Sequence, residues 1–292
     1  MNRIKGILYA AVSSSTFGLA PFFSITLLLA DFSAFEVLSY RWGVASIVLI
    51  VFGWLSGCNF RLAGKDWGVV FLLSLLRAVT SFSLIIAYQN IASGVASTIH
   101  FMYPLAVALA MMFFFREKKS LLVILAVLMS LLGAALLSLG ELEAKSGNTM
   151  VGLVAACVSV FSYAGYIVGV RTTRAVQINS TALTCYVMGL GTIFYLIGAY
   201  CTSGLQLVSD GYTWLIILGL ALPATAISNI TLVQAIKYAG PTLTSILGAM
   251  EPLTAVVIGV FVFKELFTVN SAVGIILILL AVSIVVFRRQ KS

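Results

Sequence analysis

The strongest constraint on this chain is the length of its uninterrupted apolar runs. Leu121–Gly140 is twenty residues without an ionisable side chain, and comparable runs recur from one end of the sequence to the other. A helix that crosses a bilayer needs about 20 apolar residues, and a helix satisfies its own backbone hydrogen bonds inside lipid. A membrane β-barrel would show strands of about ten residues alternating polar and apolar, and these runs do not alternate. Composition agrees. With 61% apolar and 9% charged residues, the chain cannot cover a water-facing surface or stay disordered. The reading is an all-α integral membrane protein. At roughly 29 residues per span and connector, 292 residues predict ten transmembrane helices and leave no room for a sizeable soluble domain.

The predicted spans are Ile4–Ala30, Phe35–Leu55, Trp67–Tyr88, Val95–Phe115, Leu121–Gly140, Met150–Val170, Ala182–Cys201, Trp214–Ile236, Leu243–Phe263 and Ser271–Phe287. Arg3 and Lys5 before an apolar stretch resemble a secretory signal. The run is too long for one and lacks a clear small-residue cleavage site, so it is read as span 1. The connectors set the orientation. With the N-terminus inside, the cytoplasmic segments hold 13 Lys and Arg, ending in Arg288, Arg289 and Lys291, and the outer segments hold Lys145 and Lys264 only. That asymmetry puts both termini in the cytoplasm and requires an even number of spans. It also accounts for the +8 charge, so no nucleic-acid partner is implied.

Chemistry that would mark an enzyme is missing from the sequence. Cys58, Cys157, Cys185 and Cys201 lie far apart, and His100 is the single histidine, so no metal or cofactor site is expected. The sequence has no phosphate-binding loop of an ATP-driven pump, no HExxH and no nucleophile–base–acid set. Nor does it have a filter-like repeat or ring of charges of a channel.

The chain repeats itself at an offset of 148. YPLAVALAMMFFFREK (Tyr103–Lys118) lies over EPLTAVVIGVFVFKEL (Glu251–Leu266), matching Pro104 to Pro252, Phe113 to Phe261 and Glu117 to Glu265. Upstream, Ala87 falls on Ala235, Ser97 on Ser245 and Ser81 on Asn229, whereas spans 1 and 2 show no convincing match to spans 6 and 7. A five-span unit crosses the bilayer an odd number of times, so the two halves, 1–140 and 150–288, are expected to be inverted around a central cavity. Inverted repeats are an architecture of secondary transporters.

Ionisable groups within a span are functional candidates by default. Arg41, Arg77 and Glu251 qualify, and Glu251 is the carboxylate placed deepest in an apolar run. Glu251 can carry a proton, bind a substrate ammonium, or simply pair with Arg77 to fix helix register. Arg41 has the same choice between structure and substrate. His100, Tyr103 and Pro104 share one face of span 4 by their i, i+3, i+4 spacing. Thr244, Gly248, Glu251, Ala255 and Gly259 form one stripe of span 9, most of which reads as close helix packing, as do Ser14-xxx-Gly18 and Gly165-xxx-Gly169. Pro21, Pro104, Pro223 and Pro252 lie within spans, where each frees a carbonyl and acts as a kink or hinge. Phe17, Trp42, Tyr88 and Tyr166 are candidates for an aromatic cavity, Tyr88 alternatively for an interface anchor. Asn229 joins the substrate or coupling set through its match to Ser81.

These residues resemble the ten-span EamA-type transporters of the drug/metabolite transporter superfamily. The resemblance rests on Arg41-Trp42, Ala87-Tyr88, Tyr103-Pro104 through Glu117, Glu251-Pro252 through Glu265, and Gly274. It covers the whole chain as two EamA-like units and implies a ten-helix inverted-repeat fold with a central cavity. It also implies membrane transport of a small metabolite, often export of an amino acid or related compound. Arg77-Ala78 looks like a pair found in one subset of the family, which leaves other nitrogenous metabolites open. The small four-span relatives couple protons through a carboxylate in their first span, and span 1 here has none. If protons are coupled, Glu251 is the available carrier. The expected function is secondary export by alternating access, at the inner membrane of a bacterial cell. Uptake of a vitamin or nucleoside-like metabolite and a non-transporting membrane scaffold remain as alternatives.

Overall fold

The computed structural model describes residues 2–117, 121–138, 147–202, 204–254, 257 and 268–288. Among these the chain is helical, with no strand. The helices are α1 (Asn2–Phe17), α2 (Ala20–Leu29), α3 (Ala34–Leu55), α4 (Trp67–Asn90), α5 (Ser93–His100), α6 (Tyr103–Phe113) and α7 (Leu121–Ser138). They continue with α8 (Thr149–Thr172), α9 (Ser180–Cys201), α10 (Gly211–Ala221), a π-helical turn (Leu222–Ile227), α11 (Ser228–Ala239), α12 (Pro241–Leu247) and α13 (Val269–Arg288). Residues 250–254 are helical beyond α12.

Local sequence explains the starts of these helices. Ser33 and Glu36 form a capping box at α3, where Glu36 Oε2 accepts from the Ser33 amide at 2.8 Å. The other carboxylate oxygen accepts from the Gln206 amide at 2.7 Å and ties that helix end to the loop before α10. Asn148, Asn179 and Asp210 cap α8, α9 and α10. Gly240, at φ 86°, stops α11 and Pro241 opens α12, each suited to its side of the boundary.

Seven helical stretches among the described residues are long and apolar enough to cross a membrane: Arg3–Leu29, Ala34–Leu55, Gly64–Asn90, Val95–Phe113, Thr149–Thr172, Ser180–Cys201 and Gly211–Ala239. Two shorter apolar helices, Leu121–Leu136 and Ala272–Ile284, fall where spans 5 and 10 are expected. Most of the C-terminal part of span 9, with Ala255, Gly259, Lys264 and Glu265, lies outside the described residues, as do Lys118 and Lys145.

Packing pairs helices distant in sequence. α1 lies on α11, α3 on α9, α4 on α8, α6 on α12 and α7 on α13. Gly169 of α8 lets Leu73 of α4 approach, and Gly165 receives Leu76. The outward faces are apolar: Ile47, Phe52 and Trp54 of α3 and Phe71, Leu72 and Leu75 of α4 are exposed. Arg41, Arg77, His100, Asn229 and Glu251 are buried. This reversal of the soluble pattern is what lipid on the outside requires.

Three helix breaks lie near prolines. Span 1 breaks at Gly18-Leu19 just before Pro21, and span 4 at Phe101-Met102 just before Pro104. Span 8 widens into the π-helical turn that contains Pro223. The chain also turns at residues 248–249, ahead of Pro252.

Candidate functional site

The breaks surround a buried cluster built on two arginines. Arg41 of α3 is 4% exposed and Arg77 of α4 is 1% exposed. Both guanidinium groups lie over the Phe17 ring, with their central carbons 5.5 and 5.4 Å from its centroid. Arg77 also lies 5.0 Å from the Tyr163 ring and 5.9 Å from that of Tyr166. Such contacts are worth about 0.5–2 kcal/mol each and suit a cation held away from water.

Groups from the second half of the chain complete the arginines' hydrogen bonds. Arg41 Nε donates to Thr225 Oγ1 at 2.7 Å. Arg77 Nε donates to Asn229 Oδ1 at 3.1 Å, and its NH1 donates to Ser81 Oγ at 3.3 Å. Thr225 can accept because its own proton goes to the Leu220 carbonyl, five residues back along the π turn. Asn229 Nδ2 donates to the Thr225 carbonyl at 2.8 Å, which fixes its amide so that Oδ1 faces Arg77. One nitrogen of Arg41, NH2, has no partner among the described residues.

A second layer joins His100 to three tyrosines. Ser159 Oγ lies 2.6 Å from the Ala156 carbonyl, which can accept from it, and 2.8 Å from His100 Nδ1, where either atom can donate. His100 Nε2 has no partner among the described residues. The His100 ring lies 5.4 Å from Tyr163, nearly parallel, and 5.4 Å from Tyr103. Tyr103 meets Tyr163 edge-on at 4.6 Å, and Tyr163 stacks on Tyr166 at 6.5 Å. The Tyr103 hydroxyl reaches span 9 at Gly248, where a Cβ would collide with it.

Glu251 is 5% exposed, and its carboxylate makes no hydrogen bond or ion pair with a described residue. It lies within electrostatic range of Arg77, Tyr103 and Tyr163. The direct Arg77–Glu251 ion pair that the sequence leaves open is therefore not formed. Arg77 is instead satisfied by neutral acceptors, Asn229 and Ser81, which sit closer to its fork.

A narrow cavity touches both arginines. It has about 20 Å³, the scale of a single water, and is lined by Phe17, Pro21, Ser24, Arg41, Arg77 and Tyr88 among others. Tyr88 is 4% exposed, so it belongs to this wall rather than to an interfacial belt. Trp42 points away from it, edge-on to Tyr195 at 5.1 Å and against Gly191.

Of the residues singled out from sequence, Arg41, Arg77, His100, Tyr103, Tyr88 and Asn229 thus belong to this buried region, with Glu251 at its edge. Sequence reasoning missed Tyr163, Thr225 and Ser159. Ser159, Ser162, Tyr163 and Tyr166 recur at helical spacing along α8, and that polar stripe in an apolar span was the available signal. Thr225 had no such signal, because its outlook depends on the π turn.

Known proteins share this fold. A solved crystal structure superposes with a TM-score of 0.80, covering 100% of this chain and 99% of that chain at 18% identity, which speaks to the fold. A protein of Archaeoglobus fulgidus described as an uncharacterized transporter is 28% identical over 238 residues, 80% of this chain and 83% of the relative. The sequence pattern of the EamA-like transporter family matches residues 4–139 and again 150–287. With nearly its whole length accounted for by two copies of that pattern, the chain belongs to the EamA-like transporter family, a multi-pass membrane protein and a transporter rather than an enzyme.

Proposed function

We propose that this chain is a secondary active transporter of the cell inner membrane. It exports a small metabolite, an amino acid or related compound, by alternating access, with both termini in the cytoplasm. The observation that carries the reading is the pairing of each buried arginine of the first half with a polar group of the second, Arg41 with Thr225 and Arg77 with Asn229. Polar groups from two halves that converge inside a membrane protein form a site that rocking of one half against the other opens and closes.

The helix pairing supports two inverted five-span units, 1–140 and 150–288. Under a two-fold that exchanges spans 1–5 with 6–10, α1 on α11 (span 1 on span 8) becomes span 6 on span 3, which is α8 on α4. The pairs α3–α9, α6–α12 and α7–α13 map onto themselves. The cavity of about 20 Å³ is far below the roughly 300 Å³ or more of an ordinary ligand pocket, so a substrate requires the halves to separate. The breaks near Pro21, Pro104, Pro223 and Pro252 are the hinges for that motion. Glu251, buried and near Arg77 without pairing to it, is the candidate for proton coupling.

The test is flux in proteoliposomes of defined sidedness, using labelled amino acids and small metabolites with and without a pH gradient. Saturable flux that follows the gradient is expected. Glu251→Gln should abolish its pH dependence while leaving the protein folded, and unchanged gradient-driven flux in that variant excludes Glu251 as the carrier. Vectorial uptake of a vitamin or nucleoside would replace the export reading with its alternative.

A further inference from the structure

We infer that the substrate carries a carboxylate and that this group docks between Arg41 and Arg77. The inference deepens the transport reading and rests on it, because it assigns a chemical class to the same site. Its first support is charge. Two guanidinium groups face one ring in the membrane interior, and neither forms an ion pair with a described carboxylate. Even with Glu251 ionised, the three groups together hold one uncompensated positive charge. A buried charge without a counter-ion costs several kcal/mol, and aromatic faces offset part of that without neutralising it. An anion on the site removes the remainder.

The second support is the unused donor. Arg41 is held through Nε, so its orientation is fixed before anything binds, and its buried NH2 lacks a partner among the described residues. Arg41 and Arg77 line the same cavity, with Ser24 and Ser81 as additional hydroxyl donors. A planar fork that presents two N–H groups matches the two oxygens of a carboxylate.

The third support is the rest of the wall. Phe17, Ala20, Pro21, Leu84 and Ile85 are apolar, and Thr80 and Tyr88 add hydroxyls but no further positive charge for a second negative one. The site therefore favours a single planar monoanion over a dianionic phosphate. The apolar wall suits a hydrocarbon or aromatic remainder of the substrate.

The experiment measures thermal unfolding of the purified full-length protein against matched pairs of probes. Leucine and phenylalanine are compared with their amides, lactate with lactamide, and all with inorganic phosphate. At least one carboxylate is expected to raise the unfolding temperature saturably while its amide does not. Arg41→Gln should weaken that effect at least tenfold, and Arg41→Lys, which keeps the charge but not the fork, should fall between. Equal stabilisation by an amide, stabilisation by phosphate alone, an unchanged response in Arg41→Gln, or no response to any carboxylate would overturn the assignment. Flux separates the two readings. Arg41-dependent carboxylate binding without flux of that compound leaves the anion site standing and removes the transporter proposal. Flux of a carboxylate-free amine that no carboxylate inhibits does the reverse.

Discussion

α4 and the stretch α10–π–α11 occupy matching positions at the offset of 148, yet they solve different problems. α4 runs unbroken for 24 residues and buries an arginine. Its counterpart carries Pro223 where α4 has Leu75, and the helix widens there over Leu222–Ile227. Proline lacks the amide proton and clashes with the preceding turn, so the backbone takes up a wider loop. Two residues on, Thr225 stands where the first half has Arg77, and Asn229 stands where it has Ser81. All four meet: Arg77 bonds Ser81 and Asn229, and Asn229 bonds the Thr225 carbonyl. Likewise Tyr103 matches Glu251 and His100 matches Gly248, and the Tyr103 ring fills the space that Gly248 leaves. Similar frames thus carry complementary chemistry, with cation, imidazole and phenol on one side and amide, hydroxyl and carboxylate on the other. The two copies of the pattern share a frame and differ in chemistry at the matched positions.

The largest predicted effect comes from removing the cation that joins the two stretches. Arg77→Leu strands Asn229 and Ser81 as buried polar groups, with an expected loss of about 3 kcal/mol and of all flux. Thermal unfolding and proteoliposome transport measure the two. The comparison itself is tested by the exchange Arg77→Thr with Thr225→Arg. If the positions are equivalent, the double variant is more stable than the sum of the single changes by about 1 kcal/mol, and simple additivity breaks the equivalence.

Next in size is Gly248→Val, which forces the Tyr103 hydroxyl out of its place and should cost about 2 kcal/mol. Adding Tyr103→Phe removes the colliding oxygen and should recover part of that loss; no recovery means that the backbone contact with the Ser245 carbonyl dominates.

Pro223→Ala lets the wide turn relax towards the α-helix of α4. A stability gain of about 1 kcal/mol, together with a several-fold fall in flux as Thr225 turns away from Arg41, is expected. Faster flux would show that the π turn serves some other purpose.

The smallest effect is at the start of α10. Asp210 accepts from the Thr213 amide at 2.7 Å, and that bond holds its carboxyl below the usual carboxylate range. Its contribution is therefore complete at neutral pH and fades as pH falls through the depressed folded-state value. Asp210→Ala should lower the unfolding temperature slightly at pH 7 and less at strongly acidic pH, while Asp66, which precedes α4, makes no such cap and offers no equivalent.

Much of the architecture is legible from single residues. The ends of α3, α8 and α9 fall within a few residues of the predicted spans, because a bilayer-length apolar run has few other places to go. Pro21, Pro104 and Pro223 are visible as breaks for an equally local reason, the missing amide. The site is legible only in part. Arg41, Arg77 and Glu251 stand out because charge is rare in such a sequence. Their partners do not, since serines, threonines and tyrosines recur throughout it.

The amino-acid sequence by itself determined the solvent, the helical class, the positions of the charges and the internal repeat. All of these follow from hydropathy and spacing along one chain. The tertiary structure decided which neutral groups hold the arginines, that Arg77 bonds Asn229 rather than pairing with Glu251, and that Arg41 NH2 finds no partner among the described residues. Those outcomes depend on distances of about 3 Å between residues more than 150 positions apart, and only the packing of one half against the other sets them.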